Sequence, residues 1–199
     1  VLNPTMSQLH AFVSEYSARD QPWRYLFQTT DVVMGTSLCL AGLATLAWAR
    51  HRPLGRQGWS GIGFVVGGLF SVLDALVTMD CSPTRSPACM AAEEAGHVSA
   101  SHIVHVGTST VVVIGFALPI LLLNSTMTRF RGFGLVVAWA WVIFTLLNGI
   151  GAMDWFNGTP MSYTGIWQRL SLGLGTLWWL TLAADDVITA RARNHVPSC

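Results

Sequence analysis

Charge is scarce in this chain of 199 residues, because Asp, Glu, Lys and Arg together make up only 11% of it. A soluble domain carries about 25% charged residues. Hydrophobic residues reach 52% and the formal net charge is only +1. Much of the surface must therefore face something other than water, and no basic tract is present to neutralise the phosphates of a nucleic acid. Composition predicts an integral membrane protein whose partners are membrane lipids and not nucleic acids, and it leaves the oligomeric state open.

Internal repeats and a CxxC cysteine pair are also missing. Inverted repeats are typical of transporters, and CxxC is typical of thiol redox enzymes, so both absences argue against those classes. Two cysteines, Cys81 and Cys89, instead share one polar loop. If that loop faces an oxidising compartment, we expect the pair to form a structural disulfide.

Five apolar runs are long enough to span a bilayer, which requires roughly 20 residues. The sequence thus predicts an all-α polytopic membrane protein built as a five-helix bundle. Residues 1–28 would form an extracytoplasmic segment, 29–190 the membrane domain and 191–199 a cytoplasmic tail. The predicted spans are Thr30–Ala49, Trp59–Met79, Ser99–Leu123, Phe133–Met153 and Gly165–Ala184.

Arginine is distributed unevenly among the loops. The second loop has a single arginine, Arg85, and the fourth loop has no basic residue. Short basic loops stay in the cytoplasm, so we expect the N-terminus outside and the C-terminus inside, with the protein in the plasma (inner) membrane. The remaining loop and tail arginines all fall on the predicted cytoplasmic side: Arg50, Arg52, Arg56, Arg129, Arg131, Arg191 and Arg193.

The segment before the first span has apolar residues at helical spacing. Within Ser7–Tyr16, the side chains of Leu9, Phe12 and Val13 fall on one face together with Tyr16. This pattern predicts a short amphipathic helix lying on the outer membrane interface. The alternative interpretation is an N-terminal arm without a role.

Polar residues recur at one level, in the outer half of the predicted bundle, where an ionisable group costs at least ~2.5–3.5 kcal/mol. Ser71 and Asp74 share a stripe on the second span, and His102 and His105 share one on the third. Since loops join the outer ends of the second and third spans and of the fourth and fifth, we expect the polar groups to surround one outward-opening cavity. The others at this level are Asp80, Asn148, Asp154, Tyr163, Gln168 and Arg169.

The HxxH pattern places the imidazoles of His102 and His105 on one helical face, where both can bind a zinc ion. With Asp74 as a third ligand, zinc would lower the pKa of a bound water toward ~7. We assign catalytic roles to Ser71, Asp80 and Arg169, the last to bind a phosphate or stabilise an oxyanion. The substrate-binding positions are Asn148, Asp154, Tyr163 and Gln168.

Each of these groups also has a structural interpretation. An intramembrane histidine or serine is often only hydrogen-bonded within the bundle. Asp74 could pair with Arg169 to lock two helices together, and Asp80 and Asp154 could be solvated residues at helix ends. The shared depth of the polar groups on four helices favours a functional site over these separate explanations.

Three short motifs resemble those of a bacterial family of small multipass proteins, classed as a domain of unknown function (number nine-nine-eight). The resemblance covers nearly the whole chain from Thr30 and implies a membrane fold but no activity. Its motifs are Met79-Asp80-Cys81-Ser82-Pro83, His102-Ile103-Val104-His105-Val106-Gly107 and Gly165-Ile166-Trp167-Gln168-Arg169.

A more distant likeness is mechanistic. Ser71, Asp74 and the HxxH pattern look like the site of the membrane hydrolases grouped with alkaline ceramidases and adiponectin receptors. Those proteins have seven spans, a Ser, an Asp and three zinc-binding histidines, two of them as HxxxH on a late span. Here HxxH lies on the third of five predicted spans, and the second predicted span has no histidine.

Two functions of different classes follow from these observations. The first is a metal-dependent intramembrane hydrolase of a lipid, or of a lipid-linked ester or amide, with zinc as the metal. The second is a non-enzymatic membrane protein, either a lipid-headgroup binder or an accessory subunit, whose polar cluster is structural. The metal content of the purified protein would discriminate between them.

Overall fold

The computed structural model describes residues 3–50, 55–156 and 163–194, and of these it gives only the backbone for 154–156 and 193–194. The described residues form helices and no strand, in agreement with the all-α prediction. The helices are α1 (Arg24–Ala49), α2 (Arg56–Leu76), α3 (Pro87–Glu94), α4 (Ala100–Leu123), α5 (Arg131–Phe156) and α6 (Thr164–Asn194), with 3-10 helices at Val13–Ser17 and Asn124–Thr126.

Within the described chain, four helical segments are long and apolar enough to cross a membrane: α1, α2, Ala100–Thr126 and Arg131–Met153. The protein is therefore a multipass membrane protein, as its composition predicts. The fifth predicted span lies in α6, which is less apolar because it carries Gln168 and Arg169 near its start and Asp185 in its last third. The count of five spans stays a prediction.

The long helices alternate in direction, so the bundle has two ends. We call the end covered by residues 3–23 and 77–99 the capped end; α1, α4 and α6 begin there. The opposite end, formed by Arg56 and residues 124–131, we call the arginine-rich end. There Arg56 at the start of α2 donates a hydrogen bond of 2.7 Å to Ser125, just after α4. In the predicted orientation the capped end is the outer one.

Glycine allows α1, α2 and α4 to touch through their backbones. A Cβ atom on Gly68 of α2 would lie 2.5 Å from the carbonyl oxygen of Gly35 on α1. A Cβ atom on Gly115 of α4 would lie 2.5 Å from the backbone of Gly67 on α2. Real Cβ contacts are longer than this, so any larger residue would push the helices apart. Small residues at such contacts are the usual way that helices pack closely in a bilayer.

A cluster of buried apolar side chains joins α5 and α6 to α2 and α4 toward the arginine-rich end. Trp178 and Ile120 are both fully buried in it. The rings of Phe64 and Trp179 pack with centroids 4.3 Å apart, which links α2 to α6. The buried members are Phe64, Ile120, Leu123, Met127, Val137, Ala138, Trp141, Trp178 and Leu182.

The N-terminal segment is not the amphipathic α-helix that its apolar spacing predicts. It forms turns and then the 3-10 helix Val13–Ser17, with Ala11 and Glu15 fully buried. Its backbone groups are engaged by the bundle, since the N–H of Ile166 donates to the carbonyl of Leu9. These long-range hydrogen bonds compete with the local ones that an α-helix over this segment would need.

Candidate functional site

The loop after α2 is cross-linked as the sequence predicts. Cys81 and Cys89 form a disulfide, with their Cα atoms 6.0 Å apart. Cys89 lies in the first turn of α3, which is capped by the Ser86 hydroxyl accepting from the Cys89 N–H. The disulfide therefore ties α3 to the chain that leaves α2. Glu93, near the end of α3, has its Oε1 atom 3.8 Å from Nε2 of His102.

Asp80 joins three parts of the capped end. Its carboxylate accepts hydrogen bonds from the backbone N–H and the hydroxyl of Ser99, at 2.6 and 2.8 Å, and pairs with Arg19 at 2.9 Å. Burial acts to raise the pKa of Asp80, but the hydrogen bonds from Ser99 and the charge of Arg19 outweigh it and lower the pKa. Asp80 is thus held as a carboxylate at the start of α4, and its catalytic role stays a prediction.

Asp74 lies deeper and joins α2 to α4. Its carboxylate accepts hydrogen bonds from the hydroxyl of Thr108 and, at 3.0 Å, from that of Ser109. Nδ1 of His105 lies 3.2 Å from the same oxygen. The sequence predicts that Asp74 and His105 lie close together, and the structure brings them into contact. Thr108 was not foreseen, because it lies beside the stripe of His102 and His105 rather than on it.

The contacts of His105 identify which ring nitrogen carries the proton. Nδ1 lies 2.9 Å from the carbonyl oxygen of Val77 and 3.2 Å from that of Asp74. Both are acceptors only, so Nδ1 must be the donor and Nε2 of the neutral ring is left with a lone pair. Nε2 is buried and has no hydrogen-bond partner in the part of the chain that the structure describes. The neutral ring of His105 therefore keeps an unprotonated nitrogen in a buried position.

His102 carries its proton on the other nitrogen. Its Nδ1 accepts a hydrogen bond of 3.3 Å from the backbone N–H of Asp80, which leaves Nε2 protonated in the neutral ring, facing Glu93. The two histidines share a buried face of α4, as HxxH predicts, but they contact different acids: Asp74 for one, Asp80 and Glu93 for the other.

The predicted ligands His102, His105 and Asp74 do not form a metal site in their present positions. Among the described residues, no group of three or more His, Cys, Asp or Glu side chains is arranged to hold a metal ion. Nδ1 of His102 is already an acceptor for a backbone N–H, and Asp74 is engaged by two hydroxyls. Zinc binding by His102, His105 and Asp74 stays a prediction.

A further acid, Asp31 on α1, lies at this site and was missed in the sequence. The Ser71 hydroxyl donates to the carbonyl of Asp31 at 3.3 Å, and the carboxylates of Asp31 and Asp74 are near enough to interact electrostatically. The signal was present, because Asp31 stands one turn before Gly35 and shares the α1 face that packs on α2. Ser71 is mostly buried and links α1 to α2.

Arg169 does not converge with Asp74, contrary to the prediction from their shared depth. Its Nη1 atom donates to the carbonyls of Gln8, Ala11 and Gly165 at 2.8 to 3.0 Å, and its Nη2 atom donates to the Tyr16 hydroxyl. No Asp74–Arg169 ion pair occurs among the described residues, so the structural interpretation of that pair is also wrong. The sequence predicted how far along its helix Arg169 lies, but not which side of the bundle its side chain faces.

Gln168 likewise holds the N-terminal segment, because its side-chain oxygen accepts the Val13 N–H at 2.5 Å. Tyr163 is half-exposed and stacks on His10, with ring centroids 5.4 Å apart. Asn148 lies on α5 with its side-chain oxygen buried and without a hydrogen-bond partner among the described residues. Asp154 is the last of the predicted substrate-binding residues; it belongs to α5, but its side chain lies outside the described residues.

Glu15 is a buried acid that sequence reasoning also missed. Its carboxylate accepts hydrogen bonds from the hydroxyl and the N–H of Thr84, at 2.5 and 3.1 Å, and from the N–H of Phe12. Burial raises the pKa of Glu15 to about 7, although these hydrogen bonds act to lower it. Glu15 fastens the N-terminal segment to the loop that contains the disulfide, so both cover the polar cluster together.

Comparison with known proteins identifies a family. The model of the family described as protein of unknown function (DUF998) matches residues 1–185. Searches of curated proteins and of solved structures give no match for this chain. The likeness to alkaline ceramidases and adiponectin receptors therefore stays a hypothesis.

Proposed function

This chain belongs to the DUF998 family of multipass membrane proteins of unknown function, and we propose that it is an intramembrane hydrolase of a lipid, or of a lipid-linked ester or amide. One observation carries the proposal. The Asp74 carboxylate and two backbone carbonyls hold the Nδ1–H of His105 and leave its buried Nε2 as a base. A histidine oriented by a carboxylate in this way is the usual general base of hydrolytic sites.

The proposed reaction needs only water and the substrate. Nε2 of His105 takes a proton from a water molecule as the water oxygen bonds to the substrate carbonyl carbon. The bond from that carbon to the ester oxygen or amide nitrogen then breaks, and the proton passes from Nε2 to the leaving group. Asp74 stabilises the imidazolium that forms in between. In this scheme Ser71 and Arg169 are positioning residues, since they hold α1 and the N-terminal segment around the site.

A zinc-dependent form of the hydrolase remains our second version of the same proposal. His102, His105 and Asp74 would hold the ion, and zinc would supply a bound water of lowered pKa. The side chains as they lie do not fit this ligand set, because Nδ1 of His102 accepts the Asp80 N–H and Asp74 is engaged by hydroxyls. We therefore derive no step through zinc.

We further propose that five helices span the plasma (inner) membrane, with α6 as the fifth. The N-terminus and the capped end would face outward and the C-terminus inward. Residues 1–28 would form the extracytoplasmic segment, 29–190 the membrane domain and 191–199 the tail. Support comes from the placement of arginines and from the length of α6, which at 31 residues exceeds the roughly 20 needed to cross a bilayer. Membrane lipids would supply the substrate.

The alternative is a non-enzymatic membrane protein, a lipid-headgroup binder or an accessory subunit, with a structural polar cluster. It is favoured by the way the polar groups are engaged: Asp74 links α2 to α4, and Arg169 anchors the N-terminal segment. In that case the cluster would contribute stability and no turnover. The experiment below distinguishes the two.

His105→Asn is the sharpest test, because the Asn amide can keep a donor where Nδ1 stood while Nε2 is lost. Purified protein in lipid vesicles would be offered phospholipids, ceramides and lipid-linked amides, with products followed by mass spectrometry. We expect wild type to hydrolyse one class and His105→Asn to be slower by roughly 100-fold or more. The matched control is His97→Asn, which changes an exposed histidine outside the site and should leave the rate unchanged.

Two further readouts complete the test. Elemental analysis of the same preparations measures zinc; stoichiometric zinc that is lost in both His102→Ala and His105→Ala would favour the metal-dependent form. If wild type hydrolyses none of the lipids and the variants lose only thermal stability, the non-enzymatic alternative is correct. Hydrolysis that continues at the wild-type rate in His105→Asn would exclude His105 as the base.

A further inference from the structure

A groove of about 450 Å³ lies between α5 and α6 toward the arginine-rich end, away from the polar cluster. It is lined by Phe130, Phe133 and Thr181. Thr181 adds no free polar group, because its hydroxyl donates to the carbonyl of Leu177 within α6 at 2.8 Å. Among the described residues, the groove is therefore lined by two aromatic rings and an internally satisfied threonine, which suit an apolar occupant such as a hydrocarbon chain.

Two arginines are the chain neighbours of a residue that lines the groove. Arg129 and Arg131 flank Phe130 in the chain, and both are exposed. Neither guanidinium makes a hydrogen bond or ion pair with another residue that the structure describes. Each can therefore bind an external anion at no cost in internal contacts, and basic groups between transmembrane helices are typical sites for anionic lipid headgroups.

The nearby acids do not cancel this charge at the groove. The carboxylate of Asp185 is buried and accepts three backbone N–H groups, from Thr128, Arg129 and Phe130, at 2.7 to 2.9 Å. Asp186 is exposed and forms no ion pair with Arg129 or Arg131 among the residues that the structure describes. Beside the groove there are therefore two arginines that have no partner among the described residues. The negative charge of the neighbouring Asp185 is already compensated by backbone N–H groups.

From this geometry we propose that the groove binds an anionic phospholipid of the surrounding leaflet. One acyl chain lies against Phe130 and Phe133, and the phosphate pairs with Arg129 and Arg131. The site is separate from the proposed hydrolytic centre at the capped end, and no bond is made or broken in it. Its lipid is a bound structural partner and not a substrate.

Native mass spectrometry of delipidated protein tests this, with phosphatidylglycerol and phosphatidylcholine of identical acyl chains as probes. We expect one phosphatidylglycerol to bind well above the level of phosphatidylcholine. Arg129→Gln/Arg131→Gln should weaken phosphatidylglycerol roughly thirtyfold and leave phosphatidylcholine unchanged, since each basic residue near an anionic surface contributes about fivefold. Arg129→Lys/Arg131→Lys should restore most of the affinity because the charge is kept.

Arg85→Gln is the matched control, since Arg85 is also an exposed arginine but lies in the loop at the capped end. The capped end is separated from the groove by the length of the bundle, which exceeds the Debye length of about 8 Å. The affinity of this variant for phosphatidylglycerol should stay within twofold of wild type. Equal binding of both lipids, an unchanged double Gln variant, or an equal loss in Arg85→Gln would each overturn the proposal. Because no turnover is measured, failure of the hydrolase proposal does not affect this result.

Discussion

The capped end and the arginine-rich end of the bundle differ in what joins α6 to the rest of the molecule. At the capped end α6 is connected by hydrogen bonds, because Gln168 and Arg169 hold the N-terminal segment, which in turn reaches the disulfide loop through Glu15. Toward the arginine-rich end, α6 inserts Trp178 into a buried apolar cluster. One end depends on directional polar contacts and the other on close packing.

This difference matters for function. Polar contacts fix side chains at defined distances and angles, which a catalytic site needs, but their strength depends on pH and on redox state. Apolar packing is insensitive to both and is destroyed mainly by changes of volume. The polar cluster around Asp74 and His105 therefore lies where geometry is defined by hydrogen bonds, while most of the buried apolar volume lies toward the other end. Four predictions test this division, from the largest expected effect to the smallest.

Trp178→Ala should be the most damaging change, because it empties a fully buried site in the apolar cluster. Loss of a buried Trp costs roughly 3–5 kcal/mol of unfolding free energy. The matched control is Trp59→Ala, which removes a half-exposed Trp on α2 and should cost under 1 kcal/mol. Thermal unfolding in detergent measures both. Equal losses in the two variants would show that the cluster does not hold α5 and α6 against α2 and α4.

Gly115→Ala should cost about 3 kcal/mol, at the upper end of overpacking effects, because the new Cβ would meet the Gly67 backbone at 2.5 Å. Gly107 provides the control on the same helix, since nothing lies within 4 Å of a Cβ built there. Gly107→Ala should be neutral or stabilise by roughly 0.5–1 kcal/mol, as expected for Gly to Ala within a helix. If Gly115→Ala were tolerated equally well, the close approach of α2 and α4 would be wrong.

Cys81→Ser/Cys89→Ser should lower stability by about 2–3 kcal/mol, the loop-closure value for a short disulfide loop. The effect should be confined to the capped end, where hydrogen exchange of the Ser99 and Thr84 amides should increase. Cys39→Ser changes the free cysteine on α1 and serves as the control with an intact disulfide. Mass spectrometry that finds two free thiols in freshly isolated wild type would remove the basis of this prediction.

Glu15 should make the capped end pH-sensitive. The pKa of Glu15 is raised from the usual 4.5 to about 7 in the folded state. Its contribution to stability is therefore fully present below pH 4.5 and is lost as the pH rises through about 7. Glu15→Gln cannot titrate, so its stability should be flatter between pH 5 and 8 and should exceed that of wild type at pH 8 by on the order of 2 kcal/mol.

Asp20→Asn is the matched control for this titration, because Asp20 is an acid of the same segment with a side chain about 30% exposed. Its pH profile should follow that of wild type. Thermal unfolding across the pH range measures all three proteins. A wild-type profile that is already flat between pH 5 and 8 would show that Glu15 is not buried in the way the structure indicates.

Much of the fold was accessible from the sequence, because it depends on local composition. The runs that form α1, α2, α4 and α5 are apolar over the length that a bilayer requires, so the ends of four membrane helices could be placed within about three residues, except that α1 begins six residues before its predicted start. The Cys81–Cys89 disulfide was also predictable, since two cysteines in one short loop have few other partners. The contact between Asp74 and His105 followed from the connection of α2 to α4 at one end of the bundle and from the position of each residue on its helix.

The rest of the site could not be predicted, because it depends on which faces of the helices meet. Arg169 lies at the depth that its position in α6 predicts, but the N-terminal segment occupies it. Asp31 was overlooked because its relation to Asp74 exists only once Gly35 packs against α2. The HxxH pattern also could not predict that His102 and His105 carry their protons on different ring nitrogens. That placement depends on which backbone groups surround each ring.

The sequence alone determined that this chain enters a membrane, where its long apolar helices lie and how far along each helix the polar residues stand, because hydropathy and helical periodicity are properties of consecutive residues. The tertiary structure decided the conformation of the N-terminal segment, the partner of each charged side chain and which nitrogen of His105 is unprotonated. Those outcomes depend on long-range hydrogen bonds and on backbone approach at a few glycines. Such contacts are set by the competition among all helix faces at once, and no short stretch of sequence contains that information.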